Sequence, residues 1–317
     1  MDNKIVVLVG PTAVGKTYVS VELAKRLNTE IISADSMQIY KEMNIGTAKI
    51  TREEAQGIIH HMIDIIKPDE SFSVSEFKSE SEKIIDNILE KSQIPIIVGG
   101  SGLYVNSLIY DLDFGNAKSD NKIRDYFTSL YNEHGEDFLY EKLKEVDPES
   151  AEKIHKNNVK RVIRALEVHE ITGRKFSELN TDIRKQSKKY DCILIGLNMD
   201  RKILYERINK RVDKMLSDGL IEEVKSLIEK GYDKNLVSMQ GIGYKEIVDY
   251  LEGKTELEET VNILKRNTRR FAKRQFTWFL RDINVKWFNI NTINEIDIIV
   301  DDIYNFILST KNIKLED

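Results

Sequence analysis

The chain begins with Lys4-Ile-Val-Val-Leu-Val9 and runs straight into Gly10-Pro-Thr-Ala-Val-Gly-Lys-Thr17. Ile5 to Val9 is an unbroken apolar run rich in β-branched residues, the composition of a strand buried on both faces of a parallel sheet. The next eight residues spell G-x-x-x-x-G-K-T. Gly10 and Gly15 let such a loop curl so that successive backbone N–H groups point inward. From Thr17 the apolar residues Val19, Leu23, Ala24 and Leu27 recur at helical spacing, so a helix N-terminus faces the loop and adds its partial positive charge. Lys16 is placed to meet outer phosphates, and the Thr17 hydroxyl to ligate magnesium. At ordinary glycine and lysine frequencies, a chance match in a chain of this length is roughly a one-in-a-hundred event. Gly10, Pro11, Thr12, Ala13, Val14, Gly15, Lys16 and Thr17 therefore read as a phosphate cradle. The pattern leaves open whether those phosphates belong to a nucleotide being cleaved or to a group that departs.

Further strands are expected at Glu30–Ala34, His60–Ile65, Ile94–Val98, Cys192–Leu197 and Val285–Ile290, with helical patterns between most of them, such as Ser75–Leu89. This alternation predicts an α/β fold, a P-loop NTPase-like parallel sheet core with right-handed crossovers. From Asn116 to Lys189 the rhythm breaks into helical patterns at Ile123–Tyr131, Asp137–Val146 and Val159–Thr172. Asp147-Pro148 supplies an N-cap followed by proline at the first helical position. The expected organisation is a core of residues 1–115 and 190–317 carrying an inserted helical domain, 116–189. The polar tail after Thr310 is expected to fray.

A hydrophobic share of 41% beside 32% charged residues suits a chain able to bury a large core. The one cysteine, Cys192, excludes an internal disulfide, fits a reducing compartment and lies in an apolar strand, where a core role outweighs a nucleophilic one. No apolar run approaches membrane-spanning length, and the first strand starts too early to leave room for a signal peptide. A cytoplasmic protein with no membrane partner is expected.

Asp35 closes the second strand, where the carboxyl ends of a parallel sheet line a ligand crevice. The residue type allows a magnesium ligand, a general base, or simply an Asx turn. The fourth strand runs into Val98-Gly-Gly-Ser-Gly-Leu-Tyr104, whose glycines admit a ligand to the backbone and which lacks the terminal Asp of nucleotide hydrolases. The His60-His61 pair projects to opposite faces of a strand, so hydrogen-bonding roles are expected rather than metal binding. Arg207, Arg211 and Lys214 form a positive stripe at i, i+4, i+7, with Glu206 or Asp213 as available partners. Lys265 to Arg281 holds seven cations (Lys265, Arg266, Arg269, Arg270, Lys273, Arg274, Arg281), four interleaved aromatics and no acid. Val261, Leu264, Phe271 and Trp278 are its expected packing face, leaving a basic outer face for a phosphate backbone. Lys160, Arg161 and Arg164, with Arg174, Lys175, Lys185, Lys188 and Lys189, form a second basic zone. On a chain of net charge −5, two such zones predict a polyanionic partner.

Taken together, the sequence resembles the bacterial tRNA dimethylallyltransferase family. The resemblance rests on the phosphate loop, Ala34-Asp-Ser-Met-Gln-Ile-Tyr40, Asn44-Ile-Gly-Thr-Ala-Lys49, His60-His-Met-Ile-Asp64, Val98 to Tyr104, Arg164-Ala-Leu-Glu167, Gly219 to Val224, Gln240-Gly-Ile-Gly-Tyr244 and Arg269 to Trp278. It extends in order to about Asp282. It implies transfer of a dimethylallyl group from dimethylallyl diphosphate to the N6 amine of the adenosine 3′-adjacent to the anticodon, position 37, in tRNA, releasing diphosphate. The cradle then holds the leaving group, with Mg2+ held in part by Thr17. By the same resemblance, Arg207 and Arg211 add charge from the opposite side and Asp35 takes the amine proton. Ser36, Met37, Gln38 and Ser101 meet the flipped nucleotide or its neighbours. Lys160, Arg161 and Arg164 on the insertion grip the anticodon stem-loop, and Arg269, Arg270, Lys273 and Arg274 follow its backbone. Ser101 stands where the family usually has Thr, which keeps the hydroxyl. A monomer is expected. The rival readings are a transferase acting on free adenine nucleotides, which would need neither basic zone, and a nucleotide-driven RNA switch or kinase.

Overall fold

The structure, a computed structural model, describes residues 3–112, 120–179, 189–290, 292 and 295–311. β1 (Lys4–Val9) leads through the phosphate loop into α1 (Lys16–Leu27), and β2 (Ile31–Ala34) follows. Short α2 (Arg52–Ala55) and β3 (His60–His61) precede α3 (Val74–Glu90), β4 (Ile96–Gly99) and α4 (Gly102–Ile109). Four helices come next: α5 (Asn121–Val146), α6 (Pro148–Lys153), α7 (Val159–Thr172) and α8 (Phe176–Leu179). The chain continues through β5 (Asp191–Met199), α9 (Arg201–Ser217), α10 (Leu220–Glu229), α11 (Tyr244–Leu251), α12 (Leu257–Leu280), β6 (Lys286–Ile290) and α13 (Ile296–Lys311). Two compact units result, Met1–Ile109 with Lys188–Asp317, and Tyr110–Ser187. Asn116, Lys185 and Lys188 lie outside the described residues, as does the tail beyond Lys311. Among the described residues no helix is long and apolar enough to cross a membrane.

The first unit is built on one six-stranded sheet in the order β3-β2-β4-β1-β5-β6, every pairing parallel. All six residues of β1 are buried. Side chains alternate across a strand, so both faces of the sheet must be covered. The cover comes from Val19 and Leu23 of α1, Leu204 and Ile208 of α9, Ala272 of α12 and Val300 and Ile303 of α13, which share one core with the strands. A separate core gathers Ile39, Met43, Val212, Leu220, Val224, Tyr244 and Leu264. The strand expected over His60–Ile65 stops after His61, because Met62 and Asp64 turn into the left-handed region at φ 62° and 57° and break the extended run. The two histidines hydrogen-bond: His61 Nε2 lies 2.6 Å from Glu30 Oε2, and His60 Nδ1 2.9 Å from the Ile58 carbonyl. Burial is the main cause lowering the His60 pKa. Burial also pushes the Cys192 thiol up to about 12, which leaves it a poor nucleophile at neutral pH.

In the second unit α5 joins the two expected helices Ile123–Tyr131 and Asp137–Val146 across a break at Gly135, φ 84°. Leu139, Leu143, Ala151, Ile154, Val162 and Leu166 form its core. Asp147 is fully buried and caps α6 through the Ser150 N–H while also receiving the Ser177 N–H and hydroxyl. Glu167, likewise fully buried, pairs with Arg124 at 2.9 Å and Arg164 at 2.7 Å. Arg164 is thus anchored by a buried carboxylate. Lys160 and Arg161, at the start of α7, are exposed and show no carboxylate partner among the described residues.

Candidate active site

The ends of β2, β4 and β1 are neighbours in the sheet, and each carries a polar loop. After β1 the phosphate loop takes a strained path, with positive φ at Gly10 (150°), Ala13 (66°) and Gly15 (114°). The left-handed conformation of a non-glycine residue costs about 1–2 kcal/mol, so Ala13 must be held there. Arg207 of α9 does so, its Nε donating to the Ala13 carbonyl at 2.8 Å. Lys16 Nζ donates to the Gly10 and Pro11 carbonyls, each at 2.8 Å. Burial and the field of Arg211 bring its pKa down to about 7, against the opposing pull of Asp35. The Arg211 pKa is also lowered by burial, while Asp35 and Glu54 act to raise it and Arg207 to lower it. The electrostatic coupling places Lys16, Arg211 and Asp35 in one cluster. The first turn of α1 has no acidic residue. Thr17 in that turn is exposed. Of the expected stripe on α9, Lys214 departs: it pairs with Asp218 at 2.9 Å.

Asp35 Oδ1 accepts the Met37 N–H at 2.9 Å. The Asx turn is therefore real, and Oδ2 has no hydrogen-bond partner among the described residues. One carboxylate serves as turn former and still offers an oxygen to solvent or substrate. Ser101 joins the neighbouring strand end, its Oγ accepting the Ser36 N–H at 3.0 Å and donating to Ser36 Oγ at 3.2 Å. The two strand ends touch so closely that a Cβ at Gly99 would lie 2.1 Å from the Ala34 carbonyl oxygen. Gln38 looks inward. It receives the Ser33 hydroxyl at 3.0 Å and donates to the Thr47 and Ala48 carbonyls at 3.3 Å. Lys49 then ties that loop to Asp64 at 2.6 Å.

Three groups were not legible as site residues. Glu223 receives the N–H groups of Asn44, Ile45 and Gly46 at 2.9, 2.8 and 3.1 Å, and the Tyr244 hydroxyl at 2.7 Å. It clamps the loop that follows Asp35, and explains why Asn44–Lys49, Gly219–Val224 and Gln240–Tyr244 belong together. Asn209 accepts a bond from Arg269 at 2.7 Å. Gln275 of α12 accepts the Thr12 N–H at 2.8 Å and donates to the Gly100 carbonyl at 3.2 Å. An available signal was that Gln275 is the one polar residue at its end of a stripe whose other members, Leu264, Ala272 and Phe279, are buried.

The basic helix α12 needs two corrections. Of the expected packing face Leu264 is buried and Val261 and Phe271 are half-buried, but Trp278 is 43% exposed, because the helix turns Ala272, Gln275 and Phe279 inward beside Leu264. Nor is it without acids nearby, since Lys265 pairs with Asp213 of α9 at 2.6 Å. Arg269 is partly buried, bonded to Asn209 and over the Tyr205 ring at 5.9 Å. Arg270, Lys273 and Arg274 are exposed, with no carboxylate partner among the described residues.

A model of the IPP transferase family matches residues 38–282. The chain is 55% identical over 289 residues to the tRNA dimethylallyltransferase of Acetivibrio thermocellus, covering 91% of this chain and 92% of that protein. To that of Alkaliphilus oremlandii it is 53% identical over 291 residues, 92% and 93% of the two chains. The crystal structure of the tRNA isopentenylpyrophosphate transferase from Bacillus halodurans matches with a TM-score of 0.73 at 47% identity, covering 97% of this chain and 96% of that one. A eukaryotic dimethylallyltransferase captured acting on tRNA matches with a TM-score of 0.83 at 31% identity, over 99% and 82%. A P-loop sheet whose Lys16, Asp35 and Arg211 converge, matched along nearly its whole length by these transferases, leaves one conclusion: the chain belongs to the IPP transferase family, that of the tRNA dimethylallyltransferases.

Proposed function

We propose that the protein transfers a dimethylallyl group from dimethylallyl diphosphate to the N6 amine of adenosine 37 in tRNA, 3′-adjacent to the anticodon, releasing diphosphate. The observation that carries this reading is the composition of the three adjacent strand ends. A phosphate cradle follows β1 and a carboxylate with one open oxygen follows β2. The end of β4, where a nucleotide hydrolase would carry its Asp, is glycine packed against Ala34.

In the reaction the allylic C–O bond breaks, its electron pair leaves with the diphosphate, and a new C–N bond forms. Lys16 and the phosphate-loop backbone, Gly10 to Thr17, meet the developing charge, with Arg211 and Arg207 on the other side. The adenine amine is a weak nucleophile because its lone pair is delocalised into the ring. Asp35 Oδ2 accepts its proton as the bond forms. The base must leave the stack to reach this point; Ser36, Met37, Gln38 and Ser101 are assigned to the flipped nucleotide and its neighbours. The Gln38 amide is engaged within its own loop, so its part in that contact is to shape the loop. Magnesium fits the donor set: Mg2+ usually takes few protein ligands and completes its shell with phosphate and water. Thr17, exposed on the first turn of α1, would hold it; when bound, it supplies positive charge at the diphosphate oxygens. Lys160, Arg161 and Arg164 are assigned to the anticodon stem-loop, and Arg270, Lys273 and Arg274 to its backbone, while Arg269, expected among them, is held by Asn209. The enzyme is taken to act as a monomer in the cytoplasm, where its RNA substrate is found.

The test offers labelled dimethylallyl diphosphate with an anticodon stem-loop RNA, with AMP, or with ATP alone. Label is expected on the RNA and not on AMP, with no nucleotide hydrolysis. Transfer to AMP in preference to RNA, or steady ATP turnover, would overturn the reading.

A further inference from the structure

Gln275 joins the phosphate loop to the loop that follows β4. It is 5% exposed, on the buried face of a helix otherwise dominated by cations. Its Oε1 receives the N–H of Thr12, in the phosphate loop, at 2.8 Å, and its Nε2 reaches the Gly100 carbonyl, beyond β4, at 3.2 Å. Ser101, the next residue, holds Ser36, the neighbour of Asp35. One planar amide therefore ties the cradle to the loop after β4, which in turn meets the end of β2 that carries the base. The fit is close: a Cβ at Gly100 would lie 1.9 Å from Gln275 Nε2, so only glycine there admits the amide. The pair of bonds demands one acceptor and one donor at fixed separation, which an amide supplies and a carboxylate or ammonium does not. An apolar residue of the same shape would strand both backbone groups.

We propose that Gln275 is a positioning residue that sets the separation between the departing diphosphate and the attacking amine. The inference rests on the transfer reaction proposed above. Gln275 joins the cradle to the loop carrying Ser101, assigned above to the flipped nucleotide, and a misplacement of about 1 Å can cost on the order of 10²-fold in rate.

Transfer to the stem-loop RNA is measured for wild type, Gln275→Met and Gln275→Glu over a pH series, separating kcat from the KM of each substrate, beside melting curves. Gln275→Met should lower kcat by about 10- to 100-fold with both KM values little changed. Gln275→Glu, when protonated, reproduces the amide: its carbonyl oxygen accepts from Thr12 and its hydroxyl donates to Gly100. When ionised it faces the Gly100 carbonyl with a second acceptor. Its kcat relative to wild type should therefore rise as pH falls. The charged groups that cluster at this site, Lys16, Asp35 and Arg211, are present in both proteins, which is why the ratio is read rather than either profile alone. Wild-type kcat in Gln275→Met, a pH-independent ratio for Gln275→Glu, or losses that merely follow the folded fraction would overturn the inference alone. A wild-type protein that transfers nothing to RNA would overturn the functional reading and this inference with it.

Discussion

Lys16 offers the most quantitative test of the cradle. Burial and Arg211 bring its pKa down to about 7, while its Nζ stays bonded to two loop carbonyls. A bound diphosphate restores the ammonium, so binding should draw in a proton. With a pKa near 7, that uptake is about half a proton at pH 7 and roughly nine-tenths at pH 8. The same arithmetic weakens diphosphate affinity by about twofold at pH 7 and about elevenfold at pH 8, the latter on the order of 1.4 kcal/mol. Titration calorimetry with inorganic diphosphate, in buffers of different ionisation enthalpy, measures the proton directly. Subtracting the same titration of Lys16→Met removes the ligand's own protonation. The stability effect has a defined sign. The folded pKa lies below the unfolded value of 10.5, so between pH 7 and pH 10.5 the unfolded chain binds the extra proton and stability rises with pH. Lys16→Met should lack that rise. Equal proton uptake by wild type and Lys16→Met at pH 8 would refute the argument. Arg211→Gln should reduce the uptake, because a neighbour that depresses Lys16 is gone.

Asp35→Ala should lower kcat by roughly 10²–10⁴ while diphosphate binding survives; near-normal turnover would remove Asp35 from the mechanism. Neutralising Arg270, Lys273 and Arg274 together should flatten the slope of log affinity against log salt for tRNA by about two to three. Donor affinity should stay as it was; an unchanged slope with a lowered melting temperature would make these side chains structural. Replacing Arg269 should instead cost stability and move the slope little, because its guanidinium is already bonded to Asn209. Glu223→Gln should destabilise the protein by about 1–3 kcal/mol, since one carboxylate serves three backbone N–H groups and a tyrosine; a melting curve superimposable on wild type would contradict that.

What lay in the sequence were features settled within a few residues of each other. The strand from Lys4 to Val9, the loop from Gly10 to Thr17 and the helix behind it depend on contiguous chemistry, as does the N-cap at Asp147. Even the two readings of Asp35 were local, and both were available because Oδ1 forms its turn within two residues. Where periodicity misled, the cause was tertiary. Trp278 carries the hydrophobicity of a core residue, yet α12 buries Gln275 and Phe279 instead, because the partner surface decides which stripe of a helix faces inward. The strand at His60 was cut short by two left-handed residues that no hydrophobic pattern announces. The contacts that organise the site were out of reach altogether. Gln275 meets Thr12 across 263 positions, Arg207 meets Ala13 across 194 and Glu223 meets Asn44 across 179. They exist because α9, α10 and α12 pack onto the sheet and the loops at its strand ends, an arrangement set by how whole elements pack and carried by no single stretch of residues.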